Sequence, residues 1–128
     1  VFHGGAGDDM IEIPKFGFRL VDGGAGNDTL ALTGSGLTLD LVNARGKIDG
    51  IEIIDLSGSG NNTLSVNLLD LLNLSDTSNT LKVDGNAGDA ITGLDNDWID
   101  SGISGDYHTY VHDAAILLVG INVTTDFV

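Results

Sequence analysis

The feature that most constrains this chain is a nine-residue phrase that occurs twice near its N-terminus. Residues 4–12 read GGAGDDMIE and residues 23–31 read GGAGNDTLA, and both fit G-G-x-G-x-D-x-U-x with U a large aliphatic residue. Three glycines within four residues allow positive φ and a close approach of the backbone. Turn carbonyls and the following aspartate are hard oxygen donors, which calcium prefers. The phrase therefore predicts a calcium-binding turn that leads into a short strand with its aliphatic side chain inward.

The spacing of the two copies predicts how they are arranged. Gly4 and Gly23 are 19 residues apart, close to twice nine. In a parallel β-roll one phrase makes half a coil, so turns about 18 residues apart stack on the same edge. The two phrases would then hold one ion between them. Residues 13–21 lack the glycine turn, which leaves the opposite edge without a site. Two ordinary Gly/Asp turns between strands are the alternative interpretation.

Composition favours a turn-rich β protein. The chain has 128 residues and 41% hydrophobic residues, enough for one domain with a core despite a net charge of −14. Its acidic set is 17 Asp against 2 Glu, and Asp favours turns and metal ligation.

The five basic residues form no patch that could neutralise phosphates, so nucleic acid is a poor partner and an anionic membrane would be repelled. No apolar run reaches spanning length. The chain has no cysteine and can form no disulfide, so we expect a bound metal ion to stabilise the fold instead.

Alternating aliphatic segments recur along the chain with Gly, Asn or Asp turns between them. The expected fold is all-β, with N-terminal parallel β-roll turns that continue into an irregular β-solenoid or a β-sandwich. Residues 107–111 and 115–124 predict a hairpin. Leucines at i, i+3 and i+4 spacing predict one short helix near 67–74. Residues 1–128 are expected to form one domain, and the start within a phrase suggests a fragment of a longer chain.

Later turns keep part of the phrase. Residues 57–64 (SGSGNNTL) align with the second copy, but Asn62 stands where the key aspartate was. A neutral amide offers oxygen without the charge that drives calcium affinity, so this turn is expected to keep its shape and lose its ion. Residues 85–89 form a fourth, shortened turn. Secondary metal ligands are expected among Asp22, Asn62, Asp89, Asp95 and Asp97.

The repeated phrase resembles the calcium-binding repeats of the RTX (hemolysin-type) family. With segments such as IEIIDLSGSGNNTLSV and AAILLV, most of the chain is similar to a module of large bacterial RTX adhesins. The resemblance implies type I secretion, folding outside the cell in millimolar calcium, and a place at the cell surface beside other domains. It assigns the carboxylate ligands to Asp9 and Asp28. It assigns the carbonyl-donating turn positions to Gly5, Gly7, Gly24 and Gly26.

The other groups of potential metal-binding or catalytic residues do not predict a site. His108 and His112 lie four apart, but the alternating residues around them indicate a strand, which holds them roughly 13 Å apart and too far to share a zinc ion. No nucleophile elbow or phosphate loop is present, so an enzyme is not expected.

Two functions remain open from the sequence. One is a calcium-stabilised structural or linker module of a secreted adhesin, with about 1–3 kcal/mol of stability per site at millimolar calcium. The other is a calcium-dependent module that binds a peptide or glycan through Trp98, Tyr107 and Tyr110.

Overall fold

The fold consists of short β-strands joined by tight turns. The structure, a computed structural model, describes residues 2–13, 20–41, 47–58, 60–67, 71, 79–94 and 98–127. The strands in these ranges are β1 (Phe2–His3), β2 (Met10–Ile13), β3 (Val21–Asp22), β4 (Thr29–Leu32), β5 (Thr38–Asp40), β6 (Ile48–Asp49), β7 (Ile53–Asp55), β8 (Thr63–Ser65), β9 (Thr80–Asp84), β10 (Ala90–Leu94), β11 (Ile99–Ser104), β12 (Tyr107–His112), β13 (Ala115–Gly120) and β14 (Thr124–Phe127).

The strands form three sheets, which the chain visits in a repeating order. Their strand orders are β1-β3-β6, then β11-β12-β13-β9-β7-β4-β2, and then β14-β10-β8-β5. β3, β4 and β5 lie one in each sheet, and β6, β7 and β8 lie beside them in the same sheets. We call each such circuit a pass. The first pass is β1–β2, the second β3–β5, the third β6–β8, the fourth β9–β10 and the fifth β13–β14.

Parallel pairing joins one pass to the next. Nine of the eleven strand pairings among the described residues are parallel, and the other two lie within β11–β13. The all-β class is therefore confirmed, with parallel sheets. The β-sandwich alternative fits poorly, because the sheets of that fold are antiparallel.

The core is built by aligned aliphatic side chains from successive passes. Strand register places Ile11, Leu30, Ile54, Val83 and Val119 in line across the large sheet, and each is buried. Period-2 alternation explains the pattern, because alternate residues of a strand point to the same face. Full burial of one such side chain stabilises the fold by about 1.5–3 kcal/mol. The aligned core fixes the register of the passes, and hence of the turns between the strands.

An antiparallel hairpin interrupts the passes near the C-terminus. β12 and β13 pair from Tyr107↔Gly120 to His112↔Ala115, which confirms the hairpin predicted around His112 and Asp113. Asp113 has φ +50° in the connecting turn, a conformation that Asp tolerates better than most residues. The second arm ends at Gly120, and β14 joins a different sheet.

The short helix predicted at 67–74 is not found as an element among the described residues. Most of that segment lies outside the described ranges. Of its residues, Leu71 donates its N–H to the Asn67 carbonyl at 3.0 Å, a single bond of helical spacing.

Candidate metal centre

The two copies of the phrase lie in register on adjacent passes. Phe2 pairs with Val21 and Met10 pairs with Thr29, so the offset is 19 residues on both sides of the turn. Within the turn, a parallel bridge joins Ala6 to Ala25. The stacking predicted from the spacing is therefore confirmed. The opposite edge, at 14–19, lies outside the described residues.

Glycine is required in the second turn for two reasons. Gly24 has φ +84° and Gly26 has φ +113°, which L side chains rarely adopt. A Cβ on Gly24 would also lie 2.1 Å from the Gly5 carbonyl oxygen, and one on Gly26 would lie 2.4 Å from that of Gly7. In the first turn, Gly5 and Gly7 have φ +92° and +96°, but a Cβ there would meet nothing within 4 Å. The glycines let the second turn lie directly against the carbonyls of the first.

Three acidic side chains from successive passes stand in line behind these turns, and we call Asp9, Asp28 and Glu52 the acid column. The Asp9 N–H donates to Asp28 Oδ1 at 2.8 Å. The Asp28 N–H donates to Glu52 Oε2, also at 2.8 Å. Asp28 is completely buried and Glu52 is 4% exposed. The carboxylates of Asp28 and Glu52 thus each hold the backbone of the pass before them.

Two oxygens of the acid column have no partner among the described residues. Asp9 Oδ2 and Asp28 Oδ2 are both buried and accept no hydrogen bond from them. Leaving a buried charged oxygen unpaired is costly. The pKa of Asp28 is raised above its ordinary value, mainly because burial disfavours the charged form. The N–H of Asp9 acts in the opposite direction, and the charges of Glu52, Asp9 and Asp8 raise the pKa further. The column is short of positive charge.

Oxygen atoms converge beside the first glycine of the phrase. A Cβ on Gly4 would lie 2.6 Å from the Gly23 carbonyl oxygen and 2.8 Å from Asp9 Oδ2. The missing side chain therefore leaves a space that a carbonyl and an unpaired carboxylate oxygen border together. Among the described residues no three His, Cys, Asp or Glu side chains form a metal-holding group, so backbone carbonyls would have to complete the coordination. Calcium accepts such a set of carboxylate and carbonyl oxygens.

Glu52 was missed by sequence reasoning. It lies 24 residues after Asp28, not 19, and no glycine phrase precedes it. The available signal was the Asp-Gly dipeptide at 49–50, since Asp49 pairs with Asp22 in parallel register. That pairing marks a contracted form of the same turn.

The expected secondary ligand Asp22 lies at the entrance to the second turn. Its Oδ1 accepts the Gly24 N–H at 2.9 Å, and its Oδ2 is 3.9 Å from His3 Nδ1. The first bond shapes the turn locally, as aspartates commonly do. Asp95 and Asp97 fall outside the described residues.

Asn62 is buried and uses both ends of its amide. Its Nδ2 donates to the carbonyls of Gly34 at 3.1 Å and Leu56 at 3.0 Å. Its Oδ1 accepts the Leu37 N–H at 2.9 Å. The amide nitrogen supplies the two carbonyls with donors, which a carboxylate in this position could not do.

Asp89 lies on the pass after Asn62 and is also completely buried. Its Oδ1 accepts the Asn62 N–H at 2.8 Å, and its Oδ2 accepts the Asn86 N–H at 2.7 Å. Both carboxylate oxygens are therefore partnered by backbone. The Asn62–Asp89 pair has the geometry of the acid column, but its hydrogen bonds are complete.

The two histidines of β12 have separate neighbours. His108 Nε2 lies 2.5 Å from Asp100 Oδ1 on β11, and its ring stacks on Tyr110 with centroids 4.4 Å apart. This contact lowers the pKa of Asp100, with the Gly102 N–H as a second cause. The ring of His112 meets that of Trp98 edge-on at 5.4 Å. The strand that the sequence predicted for this segment is confirmed.

Of the three aromatic side chains predicted to contact a ligand, two are buried in the structure. Trp98 and Tyr110 are each 7% exposed and belong to the core. Tyr107 is partly exposed and borders an open cavity of about 520 Å³. Its hydroxyl donates to Asp84, and Lys82 Nζ lies 4.5 Å from its ring centroid.

Comparison with protein-family models, with curated proteins and with solved structures finds no match for this chain. Over the described residues, no helix has the length and apolar character needed to cross a membrane.

Proposed function

We propose that this chain is a calcium-stabilised structural module whose first passes form an RTX-like β-roll and whose later passes continue as an irregular β-solenoid. One observation carries the proposal: Asp28 is completely buried, and one of its carboxylate oxygens has no partner in the part of the chain that the structure describes. A carboxylate in that state needs either a proton or a cation. The stacked glycine turns beside it offer the oxygen donors that calcium prefers.

Asp9 and Asp28 would supply the charged ligands of the ion. The turn carbonyls of Gly5, Gly7, Gly24 and Gly26 are the neutral donors that the repeated phrase implies. The carbonyl of Gly23 joins this set, because it lies beside the unpaired oxygen of Asp9. Bound calcium would offset the repulsion within the acid column and part of the net charge of −14.

Calcium would act on stability by binding the folded chain and not the unfolded one. At about 10 mM calcium, one site with the affinity of extracellular modules adds about 1–3 kcal/mol. A typical domain is stable by about 5–15 kcal/mol, so a single site tunes stability. Secretion, folding outside the cell and a place in an adhesin belong to the same proposal and rest on the resemblance of the repeated phrase to RTX repeats.

The ligand-binding alternative retains only Tyr107 of its three aromatic contacts, since Trp98 and Tyr110 are buried. The structural module is the better supported of the two functions. Trp98 and Tyr110 contribute to the core in either case.

Thermal unfolding with and without calcium tests the proposal. We expect calcium to raise the Tm of the wild type by roughly 3–10 °C. Asp28→Ala should remove most of this rise, because it deletes the buried charged ligand. Asp113→Asn is the matched control, since it removes one charge from a side chain that is 83% exposed. Magnesium at equal ionic strength controls for charge screening. A wild-type Tm that does not respond to calcium would contradict the proposal.

A further inference from the structure

The third pass reaches the acid column by a contracted turn. Between Asp22 and Thr29 there are six residues, whereas between their register partners Asp49 and Ile53 there are three. Gly50 allows the shorter path with φ +64°. The turn of the third pass therefore cannot repeat the glycine phrase, although it lies in register with it.

Glu52 compensates for the shortened turn by its longer side chain. Its Oε2 accepts the Asp28 N–H at 2.8 Å, and its own N–H donates to the Asp28 carbonyl at 3.1 Å. Asp28 makes the equivalent side-chain contact one pass earlier, where its Oδ1 accepts the Asp9 N–H. Glutamate has one methylene more than aspartate, so its carboxylate can accept the N–H of the preceding pass from a turn with fewer residues. Both backbone polar groups of Asp28 are thus bonded to Glu52.

The hydrogen bond alone does not require a charged side chain. A glutamine at this position has an Oε1 that can accept the same N–H. The charge of Glu52 adds repulsion on the buried carboxylate of Asp28, since like charges at short range disfavour one another. That repulsion weakens the calcium-free fold and turns into attraction when a cation lies beside Asp28.

We propose that Glu52 is a positioning residue for the metal, which holds the backbone of Asp28 in place and contributes its negative charge to calcium affinity. This inference rests on the proposed calcium site. Glu52 then has two separable roles: its length fixes Asp28, and its charge attracts the ion at the expense of the calcium-free fold.

Glu52→Gln separates the two roles, because it keeps the hydrogen-bond acceptor and removes the charge. We expect its calcium Kd, measured by calorimetry, to rise about ten-fold, as for the loss of one nearby charge from a divalent ion. In the same variant the calcium-free Tm should rise by about 2–5 °C. A purely structural role would not weaken calcium binding and raise calcium-free stability together.

Glu12→Gln is the matched control, since Glu12 is the only other glutamate in the chain and is exposed on β2. We expect its Kd to change less than two-fold. Glu52→Asp tests the role of length, because it keeps the charge but is too short to reach the Asp28 N–H. Hydrogen exchange of that N–H should be slow in Glu52→Gln and faster in Glu52→Asp.

Two outcomes would overturn the proposal: a wild-type Kd in Glu52→Gln, or a loss of calcium-free stability in that variant. If Glu52→Gln does not fold, the carbon-13 carboxyl resonance of Glu52 in the wild type decides the question. It must move with the same calcium midpoint as that of Asp28, and a resonance that does not move would overturn the proposal. The calcium response of the wild type and its loss in Asp28→Ala test the site itself, so failure of the site and failure of Glu52 give different results.

Discussion

The acid column and the Asn62–Asp89 pair are two versions of one arrangement. In both, an inward polar side chain on one pass accepts a backbone N–H from the pass before it. Around Asn62 and Asp89 each side-chain oxygen has a donor, and the Asn62 amide nitrogen has two carbonyl acceptors. In the acid column, no described residue donates a hydrogen bond to Asp9 Oδ2 or Asp28 Oδ2.

The difference shows how such a turn can be completed in two ways. An amide brings its own hydrogens and completes the turn from within the chain. Under the proposed function, the Asp28 carboxylate leaves one oxygen without a donor among the described residues, so it needs a proton or a cation. If the proposed calcium site exists, one substitution, aspartate to asparagine, would convert a turn that the ion stabilises into one that needs no ion.

The largest expected effect is from removing Asp89. Asp89→Ala leaves the buried N–H of Asn62 and the part-buried N–H of Asn86 without acceptors, and an unsatisfied buried donor costs about 1–3 kcal/mol. We expect a loss of about 2–5 kcal/mol in the free energy of unfolding, measured with urea. The loss should be the same with and without calcium, because this pair needs no ion. A loss that calcium reverses would remove the contrast with the acid column.

A smaller effect is expected from making Asn62 resemble Asp28. Asn62→Asp removes the two donors that satisfy the carbonyls of Gly34 and Leu56, at a cost of about 2–4 kcal/mol without calcium. Calcium should restore part of this loss, because a carboxylate among carbonyls is again short of positive charge. Asn61→Asp is the control, since it adds the same charge at an exposed neighbour and should change stability by less than about 0.5 kcal/mol. If calcium restores none of the stability lost in Asn62→Asp, an aspartate at this position does not reproduce the arrangement around Asp28.

The repeated phrase carried most of what could be predicted from the sequence. Its 19-residue spacing predicted the register of the first two passes, and its aspartate marked Asp28 as a candidate ligand, although not as a buried one. Alternation gave the strands and the hairpin, because period-2 patterns are local. The substitution at Asn62 predicted a turn that kept its shape, and its hydrogen bonds explain why the shape survives.

The rest depended on pairing between distant residues. Glu52 could not be found from the phrase. Its turn is three residues shorter than that of the second pass, and its side chain is one methylene longer than that of aspartate. The burial of Trp98 and Tyr110 follows from the antiparallel hairpin beside the core, and β13 pairs with β9 across a separation of 36 residues, for example Leu81 with Leu117. Neither short-range spacing nor composition reports such contacts.

The smallest expected effect is the pH dependence of the calcium-free protein. The pKa of Asp28 is raised from an ordinary value of 3.8, so the folded state binds this proton more tightly than the unfolded state does. Its contribution to stability is therefore fully present below pH 3.8 and is lost as the pH rises through the raised pKa. Calcium should reverse this trend, because the ion competes with the proton for the same carboxylate.

Asp28→Asn isolates this contribution, because its amide does not titrate while the other acidic groups remain. We expect the wild type minus Asp28→Asn difference in the free energy of unfolding to fall as the pH is raised from about 3 to 7 without calcium. With calcium, the same difference should rise over that range. If this difference does not change with pH in either condition, Asp28 has no raised pKa in the folded state and does not bind calcium. The acid column would then be no different from the Asn62–Asp89 pair.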